Sequence, residues 1–353
     1  MARCQFRCSF ANTQKLPLIL QAETTKQANV NGLVQFLTDD NPIFKDWLLR
    51  YGVILFRGFH VNTPDEFLAC IQASALGPHY NYDFCPVPRT KLREGVFTSS
   101  EFPARYNLAL HNEKSYSSEF PSHIFFNCNI APKSGGQTSL ANGHKIWLSL
   151  PEFLQQKLQT QGILYRKHYY GNGLTYKIIL LLAKNPVYKT WMDEFQTNDK
   201  HTVEQLLAKS GEQILWKGND LITEKYLPAF YIHPVSGKIV WFNQSNQLAS
   251  HCNAVNDYVE EITKNVLIRH ILLHRSLHPH MAYYGNGKSI SKKDSCYISQ
   301  AFQKNTVLHA WQPGDLMIID NYACLHGKTP HTGNRLILAG MTRHTYQKAN
   351  SHD

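Results

Sequence analysis

The sequence predicts a β-sandwich core interrupted by helical insertions. Short apolar segments with the composition of strands lie towards both ends of the chain, and the part between them mixes helical and extended patterns. The 353 residues suffice for one large domain with insertions or for two modest ones. No repeat or low-complexity linker divides the chain. We therefore expect a single domain over residues 1–353, with a helical insertion around 144–310.

The first third of the chain alternates helix and strand signals. Asn41-Pro42 offers a cap and a fixed first turn for a helix over 41–50. The apolar run 53–56, bounded by glycines, is typical of a buried strand. A cap, a proline and two acidic residues then predict a second helix over 62–76, which Gly77 closes.

The rest of the chain continues this mixture and returns to strands at its end. We expect a strand ending near His111, a strand over 124–130, a helix over 144–159, a hairpin over 230–243, a long helix over 256–274, and strands over 315–320 and 335–342. The C-terminal strands complete the sandwich that the early strands begin.

Charge and composition limit the classes of partner. No apolar run reaches the ~18–20 residues that span a bilayer, and the start MARCQFRCSF is not followed by the apolar stretch of a secretory signal. We expect a cytoplasmic protein with no membrane partner. The formal net charge of +10 suits an acidic partner. Because the Lys and Arg residues are dispersed, a nucleic acid is the weaker interpretation.

The sharpest local motif is His111-Asn112-Glu113. In a strand, residues two apart point to the same face, so His111 and Glu113 can reach one metal ion side by side. A distant second histidine would complete the two-histidine-one-carboxylate triad of non-haem iron oxygenases. By itself the motif is a weak signal, since an exposed His and Glu on a strand give the same pattern by chance.

A second motif lies far downstream. The segment WQPGDLMIIDN over 311–321 leads into His326-Gly327-Lys328 and then Arg335. This order resembles the taurine dioxygenase-like (TauD/TfdA) superfamily of iron(II)/2-oxoglutarate oxygenases. There a Gly-Asp and apolar segment precedes the distal metal ligand, an HGR-x-P turn follows, and an arginine comes later. Lys328 replaces the arginine of that turn, a departure without obvious consequence for iron.

The resemblance covers most of the chain. The segment 52–59 resembles the N-terminal strand of the family, and the segments 96–116, 132–142, 238–244 and 283–290 are similar to its HxE-bearing amino-acid hydroxylase (SyrP-like) branch. It implies a mainly β fold with α insertions, in which helices flank a double-stranded β-helix (jelly-roll, cupin-like) core. It also implies an Fe(II)/2-oxoglutarate-dependent dioxygenase that uses O2 and hydroxylates an unactivated C–H bond of a small molecule. The best substrate class is an amino acid, free or tethered to an acidic carrier protein, in a biosynthetic pathway.

The same resemblance assigns roles to individual residues. His111, Glu113 and His326 would hold iron between them. Arg335 would bind the distal carboxylate of 2-oxoglutarate, because a guanidinium can form two parallel hydrogen bonds with a carboxylate. Thr138 would support the same carboxylate with its hydroxyl, although an ordinary strand threonine is the alternative.

The substrate pocket is less well defined. Asn107 sits where relatives place a polar contact to substrate or oxoacid. Ala339 stands where the branch often carries a second arginine, which puts a taurine-like sulfonate substrate in doubt. Arg343 is either a contact for another anionic group or simply exposed. Weaker pocket candidates are Arg89, Thr98 and Glu101.

Several outcomes remain open from the sequence. Halogenating relatives lack the carboxylate ligand, so Glu113 favours hydroxylation over halogenation, while desaturation and ring formation stay possible. Two alternatives come from other classes: a catalytically silent binding module on the same fold, and an oxygenase or basic protein that acts on a macromolecule. The intact set of three ligands argues against the first, and the dispersed charge argues against the second.

Overall fold

The computed structural model describes residues 6–24, 28–39, 41–80, 89–99, 101, 103–183, 188–208, 210–252, 257, 259–260, 262–274 and 277–344. The chain divides into two compact units. Unit 1 comprises Met1–Leu148, Tyr231–Phe242 and Phe302–Asp353, and unit 2 comprises Ser149–Phe230 and Asn243–Ala301. Unit 2 lies inside the insertion expected around 144–310, but the hairpin at 231–242 belongs to unit 1. The single domain stays a prediction.

The elements are numbered in chain order. The strands are β1 Phe6–Phe10, β2 Leu18–Ala22, β3 Val53–Arg57, β4 Lys91–Arg93, β5 Val96–Thr98, β6 Leu108–His111, β7 His123–Ile130, β8 Ser134–Gly135, β9 Thr138–Asn142, β10 Ile163–Tyr169, β11 Gln213–Lys217, β12 Asp220–Leu227, β13 Phe230–Ile232, β14 Ile239–Trp241, β15 His280–Tyr284, β16 Val307–His309, β17 Leu316–Asp320, β18 Cys324–Lys328, β19 His331–Thr332 and β20 Leu336–Thr342. The helices are α1 Val30–Asp39, α2 Asn41–Tyr51, α3 Pro64–Ala73, α4 Gly143–Leu148, α5 Glu152–Gln161, α6 Leu174–Ala183, α7 Trp191–Phe195, α8 Lys200–Ala208, α9 Ser245–Leu248, α10 Val266–Leu272 and α11 Lys292–Asn305.

Two mainly antiparallel sheets form the core of unit 1. The large sheet has the order β1-β2-β3-β17-β7-β20-β5-β4, in which β2 and β3 are parallel. The smaller sheet has the order β16-β9-β18-β6. Leu55, Ile124 and Met317 of the large sheet pack in one cluster with Leu140 and Cys324 of the smaller sheet. This sandwich agrees with the mainly β core that the sequence predicts.

The other face of the large sheet is covered by α1, α2 and α3. Successive side chains of a strand point to opposite faces, so Ile54 and Phe56 of β3 pack against the helices while Val53 and Leu55 face the smaller sheet. The helices contribute buried side chains that include Phe36, Phe44 and Phe67. A strand that is buried on both faces needs apolar residues at every position, which explains the continuous run of apolar residues in the sequence.

Unit 2 contains a four-stranded antiparallel sheet in the order β11-β12-β10-β15, together with helices. The insertion that was expected to be helical thus also contains a sheet. Polar residues interrupt the apolar pattern of β10, and one of them, Arg166, pairs with Glu224 directly across on β12 at 2.6 Å. Such a pairing becomes visible only once the strand register is known.

Two predicted helices are broken in the structure. The helix expected over 144–159 is divided into α4 and α5 around Pro151, which lacks the N–H that a continuous helix requires. The long helix expected over 256–274 is interrupted at residues 263–265. There the side chain of Asn265 accepts hydrogen bonds from the N–H groups of Leu267 and Ile268. Asn265 is therefore the N-cap of a separate helix, α10. Among the described residues, no helix has the length and apolar composition that crossing a bilayer requires.

The start of α3 agrees with the sequence, and its end comes earlier than expected. The Thr63 hydroxyl accepts a hydrogen bond from the Glu66 N–H at 3.2 Å, and the Glu66 carboxylate accepts one from the Thr63 N–H at 3.0 Å. This reciprocal pair is a capping box. The helix ends at Ala73 rather than near Leu76, with Ser74 as its C-cap.

We expect Thr63→Ala to lower the free energy of unfolding by about 1 kcal/mol, because the substitution removes the side-chain acceptor for the first turn of α3. Urea unfolding followed by circular dichroism measures the change. The matched control is Thr38→Ala in α1, where an exposed threonine bonds only within its own helix to the Val34 carbonyl; its effect should stay within about 0.5 kcal/mol. Equal effects of the two substitutions would contradict the role of the cap.

Candidate metal centre

Strands β6 and β18 bring the two predicted histidine ligands together. His111 is the last residue of β6, and His326 lies directly opposite it in the register of β18. Their ring centroids are 4.4 Å apart. The Oε2 atom of Glu113 lies 3.8 Å from the Nε2 atom of His326. Among the described residues, these three form the one group of His, Cys, Asp or Glu whose ligand atoms all lie within 4.8 Å of one another.

The chemistry of these three side chains fits a divalent metal ion. The 3.8 Å separation between His326 and Glu113 is too long for a hydrogen bond, yet it suits two ligands that each lie about 2.0–2.2 Å from one ion. The Nδ1 atom of His111 hydrogen-bonds to the Ala109 carbonyl at 2.9 Å, which leaves Nε2 to act as the ligand atom. Burial and the neighbouring His111 hold the pKa of His326 well below its usual value, so this imidazole is neutral, as metal binding requires.

The position of Glu113 is set by a buried amide rather than by strand periodicity. Strand β6 ends at His111, so the alternation of side chains along a strand does not extend to Glu113. Instead, the Asn321 side chain accepts a hydrogen bond from the Glu113 N–H at 2.8 Å and donates to the Glu113 carbonyl at 3.1 Å. The side chain of Asn112 donates in turn to the Asn321 carbonyl at 2.7 Å. Both asparagines are fully buried, so the backbone that carries the carboxylate ligand is fixed.

A second residue acts on the Glu113 carboxylate. Arg89 donates from Nη2 to Oε2 of Glu113 at 3.1 Å, and the two side chains are only 8% and 6% exposed. Hydrogen bonds between charged partners of this kind orient a metal-ligating carboxylate. The sequence marked Arg89 only as a weak pocket candidate, because nothing in its local pattern links it to a glutamate 24 residues away.

A cavity of about 410 Å³, with its open mouth included, lies beside the two histidines. Leu108, Phe126 and Ile337 form apolar parts of its wall. Gly327 also lines it, and a Cβ atom at Gly327 would lie 2.4 Å from the Leu108 carbonyl oxygen. Only glycine therefore allows β18 to approach β6 this closely. The polar residues around the cavity are Arg89, Ser99, Thr138, Lys328 and Arg335.

Thr138 and Arg335, predicted to bind the oxoacid, meet in this cavity. The Thr138 hydroxyl accepts a hydrogen bond from the Trp311 indole at 2.9 Å, so its own proton remains available to a ligand. Arg335 donates to the Ser99 hydroxyl at 3.4 Å and to the Gly136 carbonyl at 3.3 Å. Burial lowers the pKa of Arg335 to about 10, which leaves it charged at neutral pH. Within the described part of the chain, no carboxylate forms an ion pair with Arg335.

Lys328 also lines the cavity, a position that its sequence context did not indicate. The expected turn directly after His326 is instead a continuation of β18, which runs to Lys328. The Lys328 side chain is 4% exposed and donates to the Pro103 carbonyl at a long 3.4 Å. Burial and then the charge of Arg335 lower the pKa of Lys328 to about 8.

Three predicted substrate residues lie outside the described cavity lining. Asn107 is exposed and immediately precedes β6. The Thr98 hydroxyl donates to the Glu101 carboxylate at 2.8 Å at the end of β5. Arg343 follows β20, is 40% exposed in its side chain and pairs with Glu119 at 3.7 Å. A substrate role for these residues stays a prediction.

Comparison with known proteins supplies the family. The chain matches the family described as taurine catabolism dioxygenase TauD, TfdA over residues 12–342. The chain belongs to this family. The dapdiamide synthesis protein DdaC of Enterobacter agglomerans is 27% identical to it over 303 residues, which cover 86% of this chain and 85% of that protein. A clavaminate synthase-like protein of Arabidopsis thaliana is 27% identical over 311 residues, which cover 83% of this chain and 82% of the relative.

A solved structure shows the same fold. PvcB of Pseudomonas aeruginosa superposes with a TM-score of 0.54 at 13% identity, covering 97% of this chain and 93% of PvcB. Membership in the TauD/TfdA family confirms the predicted enzyme class, the 2-oxoglutarate-dependent iron dioxygenases, and its cupin-like fold. The structure contains a His-Glu-His group of the kind that this class uses. The SyrP-like branch stays a prediction.

We expect Asn321→Ala to weaken metal binding by about 10–100-fold, because the backbone of Glu113 loses both of its bonds to the asparagine side chain. Calorimetric titration with Mn(II) measures the dissociation constant, and near-UV circular dichroism verifies that the variant is folded. The matched control is Asn129→Ala, which removes a bond to the Asn62 carbonyl away from the site. If Asn321→Ala binds Mn(II) as tightly as wild type while His111→Ala loses binding, then Asn321 does not position Glu113.

Proposed function

We propose that this protein is an Fe(II)- and 2-oxoglutarate-dependent dioxygenase that hydroxylates an unactivated C–H bond of an amino acid, free or carrier-tethered, in a biosynthetic pathway. The observation that carries the proposal is the arrangement of the cavity. His111 and His326, which form one group with Glu113, line the same cavity as Arg335 and Thr138.

This arrangement supports 2-oxoglutarate as the co-substrate. The oxoacid end of such a molecule can chelate an ion held by His111, Glu113 and His326. Its distal carboxylate would then accept hydrogen bonds from Arg335 and from the free proton of Thr138. PvcB, which has the same fold, is described as an Fe, alpha-ketoglutarate dependent oxygenase from an isonitrile synthetic pathway.

The residues of the chain have distinct tasks in this reaction. Iron(II), when bound, supplies the activation of O2 and the C–H oxidation that accompany decarboxylation of 2-oxoglutarate to succinate. Phe126 and Ile337 contribute apolar wall to the cavity, which would limit the access of water to the reacting centre. Glu113 fills the carboxylate position of the triad, which favours hydroxylation over halogenation. Arg89 keeps that carboxylate oriented through its bond to Oε2.

The substrate class rests on resemblance and on the names of relatives. DdaC is named for dapdiamide synthesis, which supports a biosynthetic role for this chain. The amino acid follows from the resemblance to the HxE-bearing branch. The net charge of +10 is compatible with an acidic carrier protein.

Anaerobic titration of the Fe(II)-loaded protein with 2-oxoglutarate should produce the weak visible charge-transfer band of the chelate. We expect this band to disappear in His111→Ala, which lacks a ligand, and the dissociation constant to rise about 10–100-fold in Arg335→Ala, which loses a charged hydrogen-bond donor. Arg93→Ala is the matched control, because Arg93 is exposed and pairs with Asp65 at the surface. If folded wild-type protein gives no band, the binding-module alternative takes precedence.

A substrate screen then separates the remaining possibilities. Succinate formation should rise above the uncoupled background with one amino acid, either free or loaded on an acidic carrier protein, and the product should contain one additional oxygen atom. Loss of two hydrogen atoms instead would indicate desaturation or ring formation. Stimulation by nucleic acid alone, with salt-dependent retention on heparin, would support the macromolecular alternative.

A further inference from the structure

Lys328 is a buried cation in the cavity that the proposed function leaves without a task. It occupies the position where the family pattern has an arginine, and it lies two residues after the metal ligand His326 on the same strand. Residues two apart on a strand share a face. Lys328 therefore lies on the ligand face of β18, and both residues line the cavity.

The strand register places Lys328 beside the predicted oxoacid anchors. Lys328 pairs directly with Thr138 across β18 and β9, and the Cβ atoms of such pairs lie about 4.5–5.5 Å apart on one face. Arg335 lines the same cavity, and its charge acts on Lys328. A hydroxyl with an available proton, a guanidinium and an ammonium thus belong to residues that line one cavity.

We propose that Lys328 is a third anchor of the distal carboxylate of 2-oxoglutarate, acting together with Arg335 and Thr138. Two buried like charges repel each other, and an anion placed between them compensates both. An ammonium group on a flexible stem can adjust to a carboxylate that the guanidinium already holds in a fixed plane. The inference rests on the proposed function. It means that the replacement of the family's arginine by Lys328 affects the binding of 2-oxoglutarate rather than the binding of iron.

The test compares two oxoacids that differ only at the distal end. 2-Oxopentanoate has the chain length and the metal-binding end of 2-oxoglutarate but lacks the distal carboxylate. Anaerobic calorimetry on Mn(II)-loaded protein gives the dissociation constant of each oxoacid for wild type, Lys328→Met, Lys328→Gln and Lys328→Arg. The matched control is Lys133→Met, since Lys133 is exposed and does not line the cavity.

We expect Lys328→Met and Lys328→Gln to raise the dissociation constant of 2-oxoglutarate about tenfold or more. The constants for 2-oxopentanoate and for Mn(II) should remain unchanged. Lys328→Arg should retain most of the wild-type affinity, because it keeps the charge, and Lys133→Met should match wild type.

The other outcomes overturn the inference in distinguishable ways. Equal weakening of both oxoacids would mean that Lys328 acts on the structure through its bond to the Pro103 carbonyl. Unchanged affinity for both oxoacids would mean that Lys328 does not touch the co-substrate. If wild type itself binds no 2-oxoglutarate, the proposed function fails, whatever the variants do. Having two uncharged variants keeps the test decisive if one of them does not fold.

Discussion

The pairing of β6 with β18 is the constraint on which the candidate site depends. It sets His111 opposite His326 in register, and Gly327 permits the close approach that this pairing needs. The buried amide of Asn321 extends the constraint past the end of β6 and fixes the backbone of Glu113. Within unit 1, Leu140 of β9 and Cys324 of β18 pack in one buried cluster with residues of the large sheet, which anchors the strands next to β6.

Charge is the second organising property of this site. Arg89, Lys328 and Arg335 line a cavity in which Glu113 supplies the adjacent carboxylate. Burying charged side chains is unfavourable unless opposite charges compensate them. A divalent metal ion and a dicarboxylate carry opposite charges that cancel each other. A carboxylate of the second ligand would in addition compensate the cationic side chains of the lining. The cavity is therefore electrostatically suited to an anionic ligand, since Arg89 pairs with Glu113 while Lys328 and Arg335 add two further positive charges to the lining.

Local sequence patterns correctly predicted those helices and strands that are stabilised by residues close together in the chain. The capping box at Thr63 and the doubly buried strand β3 both follow from residues that are close in sequence. The signals failed where distant residues decide. Strand β10 pairs with β12, where its polar residue Arg166 finds the partner Glu224. The break before α10 has a local cause instead, because the side chain of Asn265 caps that helix within a segment whose apolar spacing predicts one helix. Helical periodicity carries no information about such partners.

The sequence by itself determined the family, because its motifs follow one another in the order typical of that family, and it offered His111, Glu113 and His326 as candidate metal ligands. It also supplied Thr138 and Arg335 as candidates by resemblance. Only the tertiary structure decided that Glu113 is held by Asn321 and oriented by Arg89, and that Lys328 joins the cavity while Asn107 and Arg343 lie outside its described lining. The physical reason is that these contacts join residues far apart in the chain, and the strand register and burial that create them exist only in the folded molecule.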